Sequence, residues 1–234
     1  MVAPLPALDA RAERRASLRA GLRAGAVFAL PTFALAVSFG VLARTLGWGA
    51  VAPIVFSAVV FSGSAQFAVA DVLDAGGSAL AAIVAAILVN ARFAVMGVAV
   101  ASSLAGGRLR RALEAQATVD ASWAVANRGG GRFDRGVLIG ATLPQYVAWV
   151  GGTAIGVLAG DAIGDPEALG LDVLFPAFFL GLLIDELRSS RRHVGAALIA
   201  AAVSLALVPF TPPGIPIVAA CLGALLGLRG RSRP

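Results

Sequence analysis

The feature that most constrains this chain is a series of apolar runs, several of them long enough to cross a bilayer. A transmembrane helix needs about 20 mostly apolar residues. Only 14% of the 234 residues are charged, whereas a soluble domain carries roughly a quarter. The sequence therefore predicts an all-α, polytopic integral membrane protein. The candidate spans are the apolar runs at 25–43, 50–70, 79–101, 136–160, 173–187, 194–209 and 214–228.

The arginines indicate how these runs are threaded through the membrane. All 19 basic residues are arginine, and 17 of them lie in four clusters between or beyond the runs. Basic residues concentrate in cytoplasmic loops. If every run crossed once, the cluster between 102 and 135 would lie outside. If the region 50–74 instead enters and leaves the membrane on one side, all 17 arginines face the cytoplasm.

This threading predicts about six transmembrane helices plus a broken or re-entrant helical hairpin. Both termini would be cytoplasmic, the first run would stay uncleaved, and the arginines would contact anionic lipid headgroups. The predicted parts are an arginine-rich cytoplasmic tail at 1–24, a single transmembrane domain at 25–228 with its re-entrant element at 50–74 and cytoplasmic loop at 102–135, and a cytoplasmic tail at 229–234.

An alternative threading keeps 50–70 as a full span and crosses the membrane again at 113–127. That second segment has only 15 residues and contains Glu114, Gln116 and Asp120, which are costly inside a bilayer. The centre of 50–74, by contrast, is Ser62-Gly63-Ser64-Ala65-Gln66. Irregular backbone at membrane depth is tolerated where protein or a water-filled cavity satisfies it, although small residues also suit close helix packing.

Arg92 lies near the middle of the apolar run 79–101. A charge at the centre of a membrane helix costs about 2.5–3.5 kcal/mol on insertion scales, so Arg92 should face the protein interior, in a functional site or in a structural ion pair. Asp120 is the best candidate partner, although an Asp with Ser122 nearby also fits a helix cap. Asn90 is expected to bond backbone freed by a neighbouring break.

Taken in order, these residues resemble one known family. The segments Ser62-Gly63-Ser64-Ala65-Gln66-Phe67, then Asn90-Ala91-Arg92, then Asp120 followed by Trp123-Ala124 occur in the order and rough spacing of the AzlC family. The resemblance runs from about Gly21 to the C-terminus. It implies the large subunit of a bacterial branched-chain amino acid exporter in the inner membrane, with a separately encoded small hydrophobic partner of the AzlD type.

Two positions depart from the family pattern. Phe93 stands where the family usually has His after the intramembrane Arg, and Val119-Asp120-Ala121 stands where it usually has Thr-Asp-Glu. If that His or Glu handles protons, this protein couples differently or prefers another substrate.

A zwitterionic amino acid needs an anion site and a cation site. Arg92, or a helix N-terminus at Gly63–Gln66, could hold the carboxylate, and Asp120 or carbonyls near Ser62 could hold the ammonium group. The predicted apolar wall for a branched side chain consists of Phe61, Phe67 and Phe93.

The sequence also bounds the mechanism. It contains no ATP-binding, catalytic or metal-binding motif, so neither an enzyme nor a cofactor is expected, and nucleic acid is not an expected partner. Active export would then draw on an ion gradient, with protons as the expected ion. The alternatives are a passive pore for small amphipathic solutes and a membrane scaffold without transport.

Overall fold

The computed structural model describes residues 7–129, 131–163 and 191–211, with isolated positions between 173 and 188 and at 216 and 219. This part of the chain is helical without β-strands, as the sequence predicts. The predicted spans at 173–187 and 214–228 lie largely outside the described residues. The helices are α1 (Ala7–Thr45), α2 (Val51–Val60), α3 (Gly63–Asp74), α4 (Ala79–Val100), α5 (Arg108–Ala115), α6 (Asp120–Ala126), α7 (Arg135–Ile163) and α8 (Arg191–Leu207), with a 3₁₀ turn at Ala101–Ser103.

Helices α1 and α7 form a close pair because glycine lies where their backbones meet. A Cβ atom on Gly40 would lie 2.4 Å from the carbonyl oxygen of Thr153, and one on Gly156 would lie 2.2 Å from that of Val37. Each glycine therefore faces the carbonyl three residues before the other. Small residues at such contacts let membrane helices approach closely enough for dispersion to hold them together.

The same arrangement recurs at the other end of the pair. A Cβ atom on Gly21 would lie 2.5 Å from the carbonyl oxygen of Val137, and one on Gly140 would lie 2.4 Å from that of Leu18. The contacts advance along both helices in the same order, so α1 and α7 run parallel.

Helix α4 runs in the opposite direction. Val100 at its C-terminal end packs with Val137 and Leu138 at the beginning of α7. Near its beginning, Ala82 packs with Val72 at the far end of α3. The 3₁₀ turn and the loop that follow α4 therefore lie at the level where α7 begins.

The region 50–74 is interrupted between α2 and α3. Phe61 adopts left-handed backbone angles (φ 41°, ψ 50°), and Ser62 is extended. Phe61 is the one non-glycine residue with positive φ in the described part of the chain, a conformation that costs of order 1–3 kcal/mol. Tyr146 stabilises it: the hydroxyl donates to the Ala58 carbonyl (2.9 Å), and the ring meets Phe61 edge-on at 5.1 Å.

The loop between α4 and α7 is fixed by charge pairs. Glu114 accepts hydrogen bonds from Arg135 and from Arg110 (2.9 Å). Deeper in the fold, the Thr142 hydroxyl donates to the Ala117 carbonyl (2.6 Å). Residue 142 is about two turns beyond the beginning of α7, so the segment that leads into α6 dips alongside α7.

Two helical stretches are long and apolar enough to cross a membrane, Arg11–Thr45 and Ala79–Ser103, with mean hydropathies of 2.1 and 2.2. Only 11% of the apolar window in the second is buried; Leu80 and Val98, for example, expose 71% and 78% of their surfaces. An outward apolar surface of this extent suits lipid. The arginine-rich segment predicted as a separate tail is the first part of α1 from Ala7 onward.

Replacing Gly156 with alanine should break the α1–α7 pair. The new Cβ would meet backbone rather than a flexible side chain, and overpacking of this kind typically costs about 1–3 kcal/mol. The measurement is the thermal unfolding midpoint of purified protein in detergent. The matched control is Gly151→Ala on the same helix, where a Cβ meets nothing within 4 Å. Equal midpoints for the two variants would contradict this account.

Glu114 should make stability depend on pH. The hydrogen bond from Arg135 lowers the pKa of Glu114 from 4.5 to about 2, against an opposing effect of burial. A depressed carboxylate pKa stabilises the fold above the unfolded value and ceases to do so as pH falls through the folded value. The wild type should therefore exceed Glu114→Gln in thermal midpoint at pH 7, with the difference shrinking between pH 4.5 and 2. The exposed Glu13→Gln serves as control, and a pH-independent difference would refute the assignment.

Candidate functional site

A cavity of about 480 Å³ lies where the break in 50–74 meets α1, α4, α6 and α7. Its walls combine aromatic and aliphatic surface with one guanidinium, one carboxylate and a few hydroxyl and amide groups. The lining residues are Phe28, Pro31, Thr32, Leu35, Phe61, Ser62, Gly63, Ser64, Phe67, Arg92, Phe93, Val119, Asp120, Ala121, Ala124, Gln145 and Trp149. Apolar walls with few, convergent polar groups are typical of small-ligand sites.

Arg92 is the polar centre of this cavity. Its Nε and Nη2 atoms donate to the two carboxylate oxygens of Asp120, at 3.1 and 2.9 Å. Nη2 also donates to Ser64 Oγ (3.0 Å), and Nη1 donates to the carbonyl of Val89 (3.0 Å). The guanidinium carbon lies 4.6 Å from the centre of the Phe93 ring. Bidentate pairing with a carboxylate is the strongest hydrogen-bonding arrangement open to arginine.

The Arg92–Asp120 pair is accessible from the cavity. The two side chains expose 35% and 45% of their surfaces. Each charge has a partner, which offsets much of the cost of removing it from water, and the exposed fraction leaves room for a ligand to approach both groups.

The structure brings the predicted site residues together around one cavity. Seven of the nine line it, and the predicted wall residue Phe61 does as well; Asn90 and Gln66 lie behind the lining. Asn90 Oδ1 accepts a hydrogen bond from the Ser62 hydroxyl (2.6 Å), so it holds a side chain at the break rather than the freed backbone that was expected. The seven lining residues are Ser62, Gly63, Ser64, Phe67, Arg92, Phe93 and Asp120.

Asp120 begins α6 without acting as its cap. Val119 occupies the N-cap position, and its N–H donates to the Ser122 hydroxyl (3.1 Å). With the helix start supplied by these two residues, the Asp120 carboxylate bonds to Arg92 instead.

Gln66 fixes both halves of the interrupted region to α7. Its Nε2 donates to Ser57 Oγ on α2 (2.9 Å), and its Oε1 accepts from the indole N–H of Trp149 (2.8 Å). Ser57 in turn shares a 2.7 Å hydrogen bond with Thr153. Gln66, Ser57 and Thr153 are fully buried, where the low dielectric strengthens satisfied hydrogen bonds.

Gly63 lets the first turn of α3 reach the aromatic wall. A Cβ atom there would lie 2.7 Å from the Trp149 indole. Because α3 begins at this residue, its first backbone N–H groups lack partners within the helix. The positive end of the helix dipole therefore adjoins the cavity.

The sequence analysis missed the contributions of α1 and α7. Gln145 and Trp149 lie one turn apart on α7, and Phe28, Thr32 and Leu35 line the opposite side from α1. A glutamine and a tryptophan spaced four residues apart inside an apolar run were a usable signal for the α7 pair. The α1 residues are ordinary apolar or small residues that no pattern distinguishes.

A cavity with paired charges among apolar helices places the protein in the class of transport-related membrane proteins. The chain belongs to the AzlC family: a family model described as "AzlC protein" matches residues 27–163. That match covers Phe28–Trp149, and therefore every residue that lines the cavity.

Three relatives support this assignment. An uncharacterized membrane protein of Archaeoglobus fulgidus is 38% identical over 82% of this chain and 85% of its own. The branched-chain amino acid transport protein AzlC of Bacillus subtilis is 27% identical over 96% and 91%. The inner membrane protein YgaZ of Escherichia coli is 29% identical over 82% and 83%. No solved structure matches the chain.

Replacing Gln66 with leucine should destabilise the fold without altering the charges of the cavity. The change leaves the Trp149 indole N–H buried without its acceptor, and such an orphaned group costs about 1–3 kcal/mol. Thermal unfolding should show a lower midpoint for Gln66→Leu and partial recovery in Gln66→Leu/Trp149→Phe, because the second change removes the orphaned donor. Strictly additive losses would show that the two side chains are not coupled.

Proposed function

We propose that this protein is the large subunit of an exporter for branched-chain or related small amino acids. One observation carries the proposal: a bidentate Arg92–Asp120 pair, accessible from an apolar cavity of about 480 Å³. The Bacillus subtilis relative, whose name specifies branched-chain amino acid transport, aligns with nearly the whole chain and supports the substrate class.

An α-amino acid carries the same two charges as this pair. Its carboxylate can take the place of Asp120 on the guanidinium of Arg92, and its ammonium group can bind the Asp120 carboxylate that this exchange leaves. No net charge is buried, so the desolvation cost of two isolated ions is avoided. Phe61, Phe67 and Phe93 then offer an apolar surface to the branched side chain.

Proton coupling would act through Asp120. It is the one acidic residue among the described groups that line the cavity, since Phe93 and Ala121 stand where the family resemblance leads one to expect His and Glu. Protonation of the Asp120 carboxylate would release Arg92 for the substrate carboxylate. Deprotonation would re-form the ion pair and displace the substrate.

The proposed threading has 50–74 as a re-entrant hairpin and both termini in the cytoplasm. It is supported by the parallel course of α1 and α7 and by the end of α4 packing at the beginning of α7. A further crossing at 113–127 would instead put those two helix ends on opposite membrane faces. In this threading the loop 102–135 is cytoplasmic, and 1–24 and 229–234 lie on the same side.

The proposed assembly includes a small AzlD-type membrane subunit. The outward apolar surface of α4, illustrated by Leu80, Ile87, Val95 and Val98, is available to such a subunit or to lipid. The exposed arginines at the beginning of α1 would contact anionic headgroups.

Arg92→Ala should abolish export while leaving membrane insertion intact. Removing one member of a hydrogen-bonded charge pair costs about 2–5 kcal/mol of binding free energy, which corresponds to roughly 30-fold or more in affinity. The measurement is intracellular leucine, isoleucine, valine and methionine in cells that co-express the small subunit. Arg108→Ala, an exposed arginine on α5 outside the cavity, is the matched control and should export normally.

Wild-type export by Arg92→Ala would assign Arg92 a structural role alone. Liposomes then separate coupled exchange from a passive pore: preloaded leucine should accelerate uptake of labelled leucine by an exchanger and leave uptake through a pore unchanged. Leucinol and isovalerate each lack one of the two charged groups and should fail to produce this acceleration.

A further inference from the structure

A second cavity, of about 380 Å³, lies between α2, α5 and α7. On α7 it is lined by Ile139, Thr142 and Tyr146, whereas the first cavity is lined by Gln145 and Trp149. The second cavity is therefore nearer the beginning of α7, on the arginine-rich side of the protein. Phe61 lines both cavities.

Phe61 is held between the cavities by contacts that can be broken individually. Its backbone is left-handed, which a residue with a side chain rarely adopts. The edge-on contact with Tyr146 and the Tyr146–Ala58 hydrogen bond keep the ring in place. Rotation of Phe61 into an ordinary backbone region would both remove the ring and relieve the strain, so the open arrangement is not penalised at this residue.

The second cavity has the chemistry of a passage rather than of a tight binding site. Leu113, Ile139 and Leu143 give it apolar walls. Its one acidic lining residue among those described, Glu114, already forms ion pairs with Arg135 and Arg110. An amphipathic zwitterion could cross this space without meeting an uncompensated charge and would bind more tightly at the Arg92–Asp120 pair beyond it.

We infer that the two cavities are successive chambers of one solute path and that Phe61, latched by Tyr146, is the gate between them. The inference rests on the proposed transport function and adds to it the route on the arginine-rich side. Aromatic and apolar constrictions that open and close between two chambers are an established way to control passage through membrane proteins.

Cysteine accessibility tests the gate directly. The chain has one native cysteine, Cys221, and Cys221→Ser provides a background for two single probes. Thr32→Cys reports on the first cavity and Ala58→Cys on the second. In inside-out vesicles, a charged, impermeant methanethiosulfonate reagent is added from the arginine-rich side, and labelling rates are compared with those of denatured protein.

With Phe61 present, Ala58→Cys should react about tenfold or more faster than Thr32→Cys. Phe61→Ala should raise the Thr32→Cys rate by a similar factor and leave the Ala58→Cys rate unchanged. Tyr146→Phe, which keeps the ring and removes the latch hydrogen bond, should give an intermediate rate. Phe61→Leu should retain slow labelling because the side chain still fills the constriction.

Phe56→Ala is the matched control, since Phe56 is an aromatic residue on the same helix that lines neither cavity. Equal labelling of Thr32→Cys with and without Phe61 would overturn the gate, as would acceleration by Phe56→Ala equal to that by Phe61→Ala. The labelling rates do not depend on which solute is carried. Absence of leucine counterflow in the wild type would therefore refute the proposed function separately.

Discussion

The architecture of the site depends on one constraint: a guanidinium placed halfway along an apolar helix must find partners inside the protein. Arg92 meets this need with groups from three separate elements, the Val89 carbonyl of its own helix, the Ser64 hydroxyl at the beginning of α3 and the Asp120 carboxylate at the beginning of α6. The interrupted helix and the dipping loop converge on the same point because both supply ligands to one cation. The cavity is the space left around that meeting.

Two kinds of packing surround this point and differ in rigidity. The α1–α7 pair is built on direct backbone contact at glycines, where no side chain can rearrange to accommodate a shift. Gln66 extends that frame to both sides of the break through buried hydrogen bonds. Phe61, by contrast, holds an unfavourable backbone conformation through one ring contact and one hydrogen bond to a neighbouring carbonyl. Motion is therefore more readily placed at Phe61 than in the frame.

The sequence was informative where an energetic cost had to be offset locally. An arginine within an apolar run, and a cluster of hydroxyl, glycine and amide residues in another, predicted the polar centre and the interruption of the helix. Contacts that join distant parts of the chain were out of reach: nothing near Gln66 indicates that Trp149, 83 positions away, donates to it. The left-handed backbone at Phe61 was equally hidden, because phenylalanine rarely adopts it and only the surrounding fold imposes it.

The facing glycines of α1 and α7 also bear on how such a chain could have arisen. Gly40-Val41-Leu42-Ala43 recurs as Gly156-Val157-Leu158-Ala159, and each first glycine contacts the carbonyl three residues before the other. This is the reciprocity of a two-fold dimer contact within a single polypeptide. In the proposed threading an even number of crossings precedes α7, so a duplicated ancestral segment would insert twice in the same orientation. Gene fusion could then join the copies without either having to turn over in the bilayer.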